Sequence, residues 1–448
     1  MRLEDTEEKF NKPFQALDQA LSKCPAHIEF EQDNYYVTDF DSAKQAMGNP
    51  DGNYVEQSDF FSVNGAMFST RDVQIAIGKD AILSLKRYYE QRRSKIIEQF
   101  KHQISLGQRW PDSANDLMYN AFYDFLVDNQ RSPQLRKLLD QVLVYSLYSG
   151  QKTHGAGWRR AFIRMRVHRA LRAVFKARRQ QSPYQGNNRD VIDILLASSP
   201  ENESPKALAQ IFLSFFFAIN SSMAFTLAWS LYFCAKEGGV LHPAPWIVKE
   251  ALRLWPVAWN LPRTPSKAHT LGELDIKQTD TVTVCPYVLH RHPDNWPQPE
   301  RFYPPRWEDA SADAPYMPFG WGTHKCIASA FALTFTADLI GAIQGQQLTF
   351  EQLSDELHPE PAIAPPALQS RYTTRPDPIL KKPALRACSA TQLPHVTCCN
   401  SYYTTLHLEF HQIPIGTAQL YSQWVGVNRH ARSGQVNGVA VAHASTGG

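Results

Sequence analysis

The apolar positions of this chain fall into blocks of different period. Tyr35-Tyr36-Val37-Thr38 is a short aromatic and β-branched run, the composition of a strand. Residues 80–145, rich in Leu, Tyr, Lys and Arg, read as helix. Residues 158–180 form a basic helix carrying Arg159, Arg160, Arg164, Arg166, Arg169, Arg172, Lys176, Arg178 and Arg179. A solvated face is the expected reading there, with binding to acidic lipid or nucleic acid as the alternative. From Ala207 to Ala235 there is no charged residue, so the segment is long enough to span a bilayer. Gln210, Asn220, Ser221 and Ser222 interrupt it, and Ser204-Pro205 and Gly238 bracket it like the caps of a soluble helix. The expectation is a long helix buried in a large α-domain, with no membrane anchor. Beyond residue 255, strand-like runs such as Thr281-Val282-Thr283-Val284 alternate with Pro-rich loops up to Trp307. A second apolar helix is expected from Cys326 through Leu333 to about Ile343. The Pro-rich residues 358–383 are expected to wrap the surface, and residues 384–448, rich in Ser, Thr and Gly, to form a partly disordered appendage.

Composition narrows the function classes. The chain has 448 residues, 43% apolar and 20% charged, which is globular and large enough to enclose a sizeable cofactor. Lys plus Arg number 46 against 43 Asp plus Glu, a net charge of +3. That small excess argues against a protein that wraps nucleic-acid backbone. The 7 cysteines include no CxxC pair, so neither a structural zinc site nor a disulfide framework is expected. Met1 to Gln15 is highly charged and has no apolar signal region, and a reducing, cytoplasmic location is the simplest expectation.

The most informative stretch is Pro318-Phe319-Gly320-Trp321-Gly322-Thr323-His324-Lys325-Cys326-Ile327-Ala328. Two glycines allow a tight turn and close approach to a flat partner. A lone Cys before an apolar helix sits where a thiolate is stabilised, and with no companion thiol nearby a metal there must be held mostly by something else. This stretch resembles the haem-binding loop of the cytochrome P-450 family in Phe319, Gly320, Gly322, His324 and Cys326, with Ala328 where the family usually has Gly. Glu250-Ala251-Leu252-Arg253 is similar to the family's Glu-x-x-Arg helix, and Pro299 to Trp307 to its meander. The resemblance implies a structural triad of Glu250, Arg253 and Arg306, not Arg301. Leu289-His290-Arg291-His292-Pro293 and Trp296 also resemble the family. The implied fold is mainly α with a small β-rich lobe, a triangular helical domain around a buried haem, over residues 1–383.

The same resemblance implies haem b, with Cys326 as its axial ligand. Arg263 and His324 would meet the haem propionates, and so would Lys86 or Arg87 in the Gly78–Arg87 region. On the long helix, the family's Ala/Gly-Gly-x-Asp/Glu-Thr stretch is replaced by Ala218-Ile219-Asn220-Ser221-Ser222, so the relay acid becomes Ser221 and the alcohol Ser222. Ser222, Ser221 and Asn220, with water, are the expected proton relay. Phe217, Ala218, Val257, Ala258, Trp259 and Asn260 are the expected substrate pocket, with a lid loop around Phe61 to Phe68. The implied activity is hydroxylation of a small hydrophobic or aromatic substrate in secondary metabolism. Electrons would come from a ferredoxin and its reductase, which a basic patch of Lys86 to Lys95 with Lys325 would suit. The altered relay leaves radical oxidative coupling open, and a non-catalytic haem sensor or scaffold as a reading of another class.

Overall fold

In the computed structural model, which describes residues 1–372 apart from 5, 59, 148–156, 182–188, 310–313, 358, 359 and 361, helices dominate. The expected appendage, with Cys388, Cys398 and Cys399, lies outside the described residues. The helices that position the site are α1 (Pro13–Leu21), α2 (Phe40–Gly48), α3 (Arg71–Ser105), α4 (Asp112–Leu126), α5 (Gln134–Ser146), α6 (Gly157–Arg179), α7 (Val191–Ser198), α8 (Pro205–Lys236), α9 (Ala244–Leu254) and α10 (Ser329–Gly341). Side-chain caps start several of them. Asp39 accepts from Ser42 N at 2.7 Å for α2, and Ser204 from Ala207 N at 3.0 Å for α8, with Pro205 opening that helix as its sequence suggests. Beyond α8, Gly238 takes φ +79°, the left-handed conformation that stops a helix.

The strands of the two larger sheets are β1 (His27–Glu31), β2 (Asn34–Val37), β3 (Arg109–Trp110), β4 (Leu261–Arg263), β5 (Thr281–Val284), β6 (Leu348–Gln352) and β7 (Leu368–Tyr372). One sheet runs in the order β1-β2-β5-β4, with β2 and β5 parallel and Tyr35 opposite Val282. A second runs β6-β7-β3, antiparallel throughout. The mainly helical architecture with a small β lobe is therefore observed.

Helix α8 crosses the middle of the largest apolar cluster, which includes Leu117, Phe122, Phe175, Leu208, Phe212, Leu227 and Phe335. By length and apolar composition it could cross a membrane, but 83% of its most apolar window is buried inside the protein. Its outward apolar side chains meet other helices, not solvent. Helix α6 is basic as expected. Arg178, though, points inward and binds Asp190 at 2.6 Å and Asp193 at 3.3 Å, a buried charge cluster that ties α6 to α7.

Two expectations are corrected. The Pro-rich segment after 358 does not wrap the surface in its described part. Ile363 is fully buried, its N–H donates to Val257 O at 3.0 Å, and its carbonyl accepts from the Trp229 indole at 3.0 Å. An extended chain without internal hydrogen bonds can be buried where neighbours satisfy its backbone. The expected lid around Phe61 to Phe68 is a small hairpin, Ser62–Val63 against Ala66–Met67, closed by Phe68 N donating to Phe61 O at 2.7 Å. Phe68 is a core residue, while Phe60 and Phe61 are half-buried.

Candidate active site

Cys326 lies between a 3₁₀ turn, Gly322–His324, and the start of α10. Its N–H donates to Phe319 O at 3.0 Å and its carbonyl accepts from Ser329 N at 3.2 Å, so the loop closes on itself. Gly320 and Gly322 have φ of +71° and +70°. A Cβ on Gly322 would stand 2.9 Å from Gly48 Cα, and one on Gly320 3.2 Å from Met47 Cε. The two glycines therefore let the loop seat against the end of α2. Of His324 only the backbone is described.

The Cys326 side chain is solvent-accessible yet closely surrounded by protein, so it sits in a recess. Burial pushes its thiol up, while the N–H groups of Ala328 and Ser329 and the Lys325 ammonium pull the other way. Donors aimed at sulfur suit a thiolate once a cation is there to hold its charge. Among the described residues no group of three His, Cys, Asp or Glu is placed to hold a metal. A metal at Cys326 must bring its other ligands with it, and a porphyrin does so. The residues present fit a haem.

Behind the loop stands a polar core. Glu250 receives Arg253 through two bonds, Nη2 to Oε1 at 2.9 Å and Nε to Oε2 at 3.0 Å. It also accepts from Arg306 Nε at 3.0 Å, Tyr303 N at 2.9 Å and Trp307 Nε1 at 3.0 Å. The triad is thus Glu250, Arg253 and Arg306. The Arg301 guanidinium donates to Gln298 and lies over the Tyr303 ring, away from Glu250, and its carbonyl accepts from Arg253 at 3.1 Å. His290 extends this core to the loop: Nδ1 donates to Arg253 O at 3.1 Å, and Nε2 accepts from Met317 N at 3.0 Å. Burial first, then Arg253, hold His290 neutral, its pKa pushed down to about 3.

On α8, the helix widens into a π segment at Ala218–Met223. Side chains bond back to carbonyls one turn earlier. Asn220 Nδ2 donates to Phe216 O at 2.9 Å, Ser221 Oγ to Phe217 O at 2.6 Å, and Thr226 Oγ1 to Ser222 O at 2.8 Å. Asn220 and Ser221 are fully buried and donate to backbone carbonyls. Ala218 and Ser222 are half-buried, one turn apart on one face. Sequence reasoning identified the stretch but not which of its hydroxyls stays uncommitted.

Other expected residues are distributed unevenly. Lys86 and Arg87 are exposed, and Arg87 lines a surface cleft with Tyr88, Arg92, Asp124 and Asp128. The first turns of α3 are what meet the loop. Arg71 donates to Thr323 O and to Gln74 Oε1, and a Cβ on Gly78 would stand 3.1 Å from Ile327 Cδ1. Arg71, in the first turn that the Thr70 side chain caps, is a cation at this loop that sequence reasoning did not single out. Arg263 is buried on β4 and donates to Pro262 O at 2.8 Å. Trp259 faces away from α8, packing edge-on to Phe14 and donating to Glu360 O at 2.8 Å. Asn260 donates to the Tyr36 hydroxyl at 3.3 Å. Phe217 and Val257 are buried in the main core, and Ala258 is half-buried.

Comparison with known proteins agrees with this geometry. The cytochrome P450 family model matches residues 240–336, the span from α9 into α10. The crystal structure of the cytochrome P450DA heme domain superposes with a TM-score of 0.62, covering 83% of this chain and 97% of that one at 16% identity. The chain has the fold of cytochrome P450 haem domains, and its stretch from α9 into α10 is similar to the family. Among other solved structures, the CYP109B1 enzyme of Bacillus subtilis superposes at a TM-score of 0.61, covering 81% of this chain and 99% of that chain at 16% identity. Cyclooctatin synthase of Streptomyces melanosporofaciens is 34% identical over 26% of this chain and 27% of its own. Lithocholate 6-beta-hydroxylase of Mesocricetus auratus is 39% identical over 25% of this chain and 23% of its own. The alignments thus span about a quarter of the length of these curated relatives. The cofactor of the family is haem b, its iron bound through a cysteine.

Proposed function

We propose that this protein is a haem-thiolate monooxygenase that hydroxylates a small hydrophobic molecule, with Cys326 as the protein ligand of the iron. The observation that carries this reading is the recessed sulfur with two backbone N–H groups aimed at it and, among the described residues, no metal-binding cluster around it. When bound, the haem supplies dioxygen activation and one-electron chemistry. The N–H groups of Ala328 and Ser329 stabilise negative charge on the Cys326 sulfur. Arg71, Arg263 and His324 are the residues to hold the propionates, which takes over the role expected of Lys86 or Arg87. On α8, Ala218 leaves space, and the Ser222 hydroxyl, which makes no hydrogen bond among those described, holds and passes the proton. Val257 and Ala258 supply apolar pocket wall and exclude water.

Exposed Lys86, Arg87, Lys95 and Lys325 give an acidic ferredoxin a complementary docking charge, its reductase supplying the electrons. The four described cysteines form no disulfide, which supports work in the reducing cytoplasm. Hydroxylation is favoured by relatives named lithocholate 6-beta-hydroxylase and cyclooctat-9-en-7-ol 5-monooxygenase. Radical coupling without oxygen insertion is the second reading, and the committed Ser221 in place of an acid favours it. Turnover of hydrophobic cyclic and aromatic candidates under ¹⁸O-labelled dioxygen separates the two. Label in the product supports hydroxylation, and oxidised product without label establishes coupling.

A further inference from the structure

Helix α6 presents a charged and apolar face that the reaction does not use. Its sequence holds nine Arg and Lys and no Asp or Glu. The whole chain carries only +3, so the rest of it is net acidic. The inward side of α6 is ordinary core, with Ile163, Val167, Leu171 and Phe175 buried where the helix packs on α5 and α8. The outward side is divided along its length. Trp158, Phe162 and Met165 are 68%, 50% and 59% exposed, and spacings of four and three residues put them on one face, a turn apart. The same face continues as Arg169, Arg172 and Lys176, all exposed. Arg159 and Arg166 flank the apolar part, their guanidinium groups 5.3 Å and 5.7 Å from the Trp158 and Phe162 rings. Among the described residues none of these five cations forms a salt bridge.

Single exposed apolar side chains are ordinary, but three in consecutive turns beside unpaired cations form a surface that asks for a partner. An apolar end and a basic row on one helix face are the two parts with which a helix lies on an anionic bilayer. The apolar groups enter the boundary between headgroups and acyl chains, and the cations meet lipid phosphates. A nucleic-acid strand is matched instead by aromatic rings interleaved with cations along its path. On α6 the two kinds are segregated, and Met165 has no ring to stack. We propose that the outward face of α6 is a peripheral binding surface for an anionic lipid bilayer, held by Trp158, Phe162 and Met165 in the interface and by Arg169, Arg172 and Lys176 on the headgroups. Helix α8 stays in the core, so the contact is made from outside the fold. The proposal does not depend on the haem or on the reaction.

The test is sedimentation of the full chain with vesicles of phosphatidylcholine alone and of phosphatidylcholine mixed with phosphatidylserine, at low and high salt. The expected result is binding to the mixed vesicles only, weakened by salt. Two variants divide the face, Trp158→Ser/Phe162→Ser/Met165→Ser and Arg169→Glu/Arg172→Glu. Each should lower the affinity for mixed vesicles about tenfold or more. All five side chains are exposed, and an unchanged urea midpoint shows that the fold is kept. Lys23→Glu/Lys277→Glu makes the same change of charge at exposed positions off α6 and should bind like the wild type. A wild type that ignores the mixed vesicles overturns the proposal, whatever the variants do. So does an apolar variant with wild-type affinity, or an equal loss in the Lys23 and Lys277 variant. Binding to duplex or single-stranded RNA in preference to the vesicles at the same salt would also overturn it and assign the face to nucleic acid.

Discussion

At the scale of single residues, the distal stretch shows what a sequence can and cannot specify. Ala218 to Ser222 were singled out by their resemblance to the family's distal stretch, and the structure divides them by which donor is already used. Ser221 and Asn220 spend theirs on the carbonyls of Phe217 and Phe216. A π turn changes which side chains share a face, and no residue type announces it. The account therefore expects Ser222→Ala to raise peroxide released per product several-fold with little change in the haem spectrum, as measured by a peroxide assay during turnover. Ser221→Ala should disturb stability more than coupling, because it leaves one buried carbonyl short of a donor, a loss of about 1 kcal/mol. Equal peroxide leakage from both variants would contradict this division.

At the scale of elements, the Cys loop and the Glu250 core were legible because they depend on short, ordered spacings. Arg306 could be named from its place in Pro304-Pro305-Arg306-Trp307, and the structure puts its Nε 3.0 Å from Glu250. The tight turn of the glycines was legible, but not their seating against Met47 and Gly48, which lie far away in sequence. Gly322→Ala should cost about 1–3 kcal/mol and weaken haem retention, through a left-handed φ and a contact with Gly48 backbone that cannot give way. Unfolding by urea and retention of haem on gel filtration check this. Glu250→Gln keeps the shape but removes the charge that two guanidinium groups share. Breaking a buried pair in this way costs about 3–5 kcal/mol, so little folded protein is expected. Wild-type stability for Glu250→Gln would show that the triad is replaceable.

At the scale of the whole molecule, long-range burial is what the sequence left unread. The segment around Ile363 looked like a surface wrap because proline content says nothing of which indoles will reach it. His290 couples the triad to the Cys loop and carries a pH signature. Its folded pKa of about 3 lies below the ordinary 6.5, so between those values the unfolded chain binds the extra proton. Stability from this residue is complete above pH 6.5 and falls as pH drops toward 3, by up to about 1.4 kcal/mol per pH unit. The slope should be shallower by one proton in His290→Gln, which unfolding titrations at pH 4 to 7 will read. The central claim, that Cys326 binds the iron of a haem, is tested most directly by the absorption spectrum of the reduced protein under carbon monoxide. The account predicts a strongly red-shifted Soret band in the wild type that is lost in Cys326→Ala. A folded, haem-supplemented wild type without that band, or a variant that keeps it, would contradict the account.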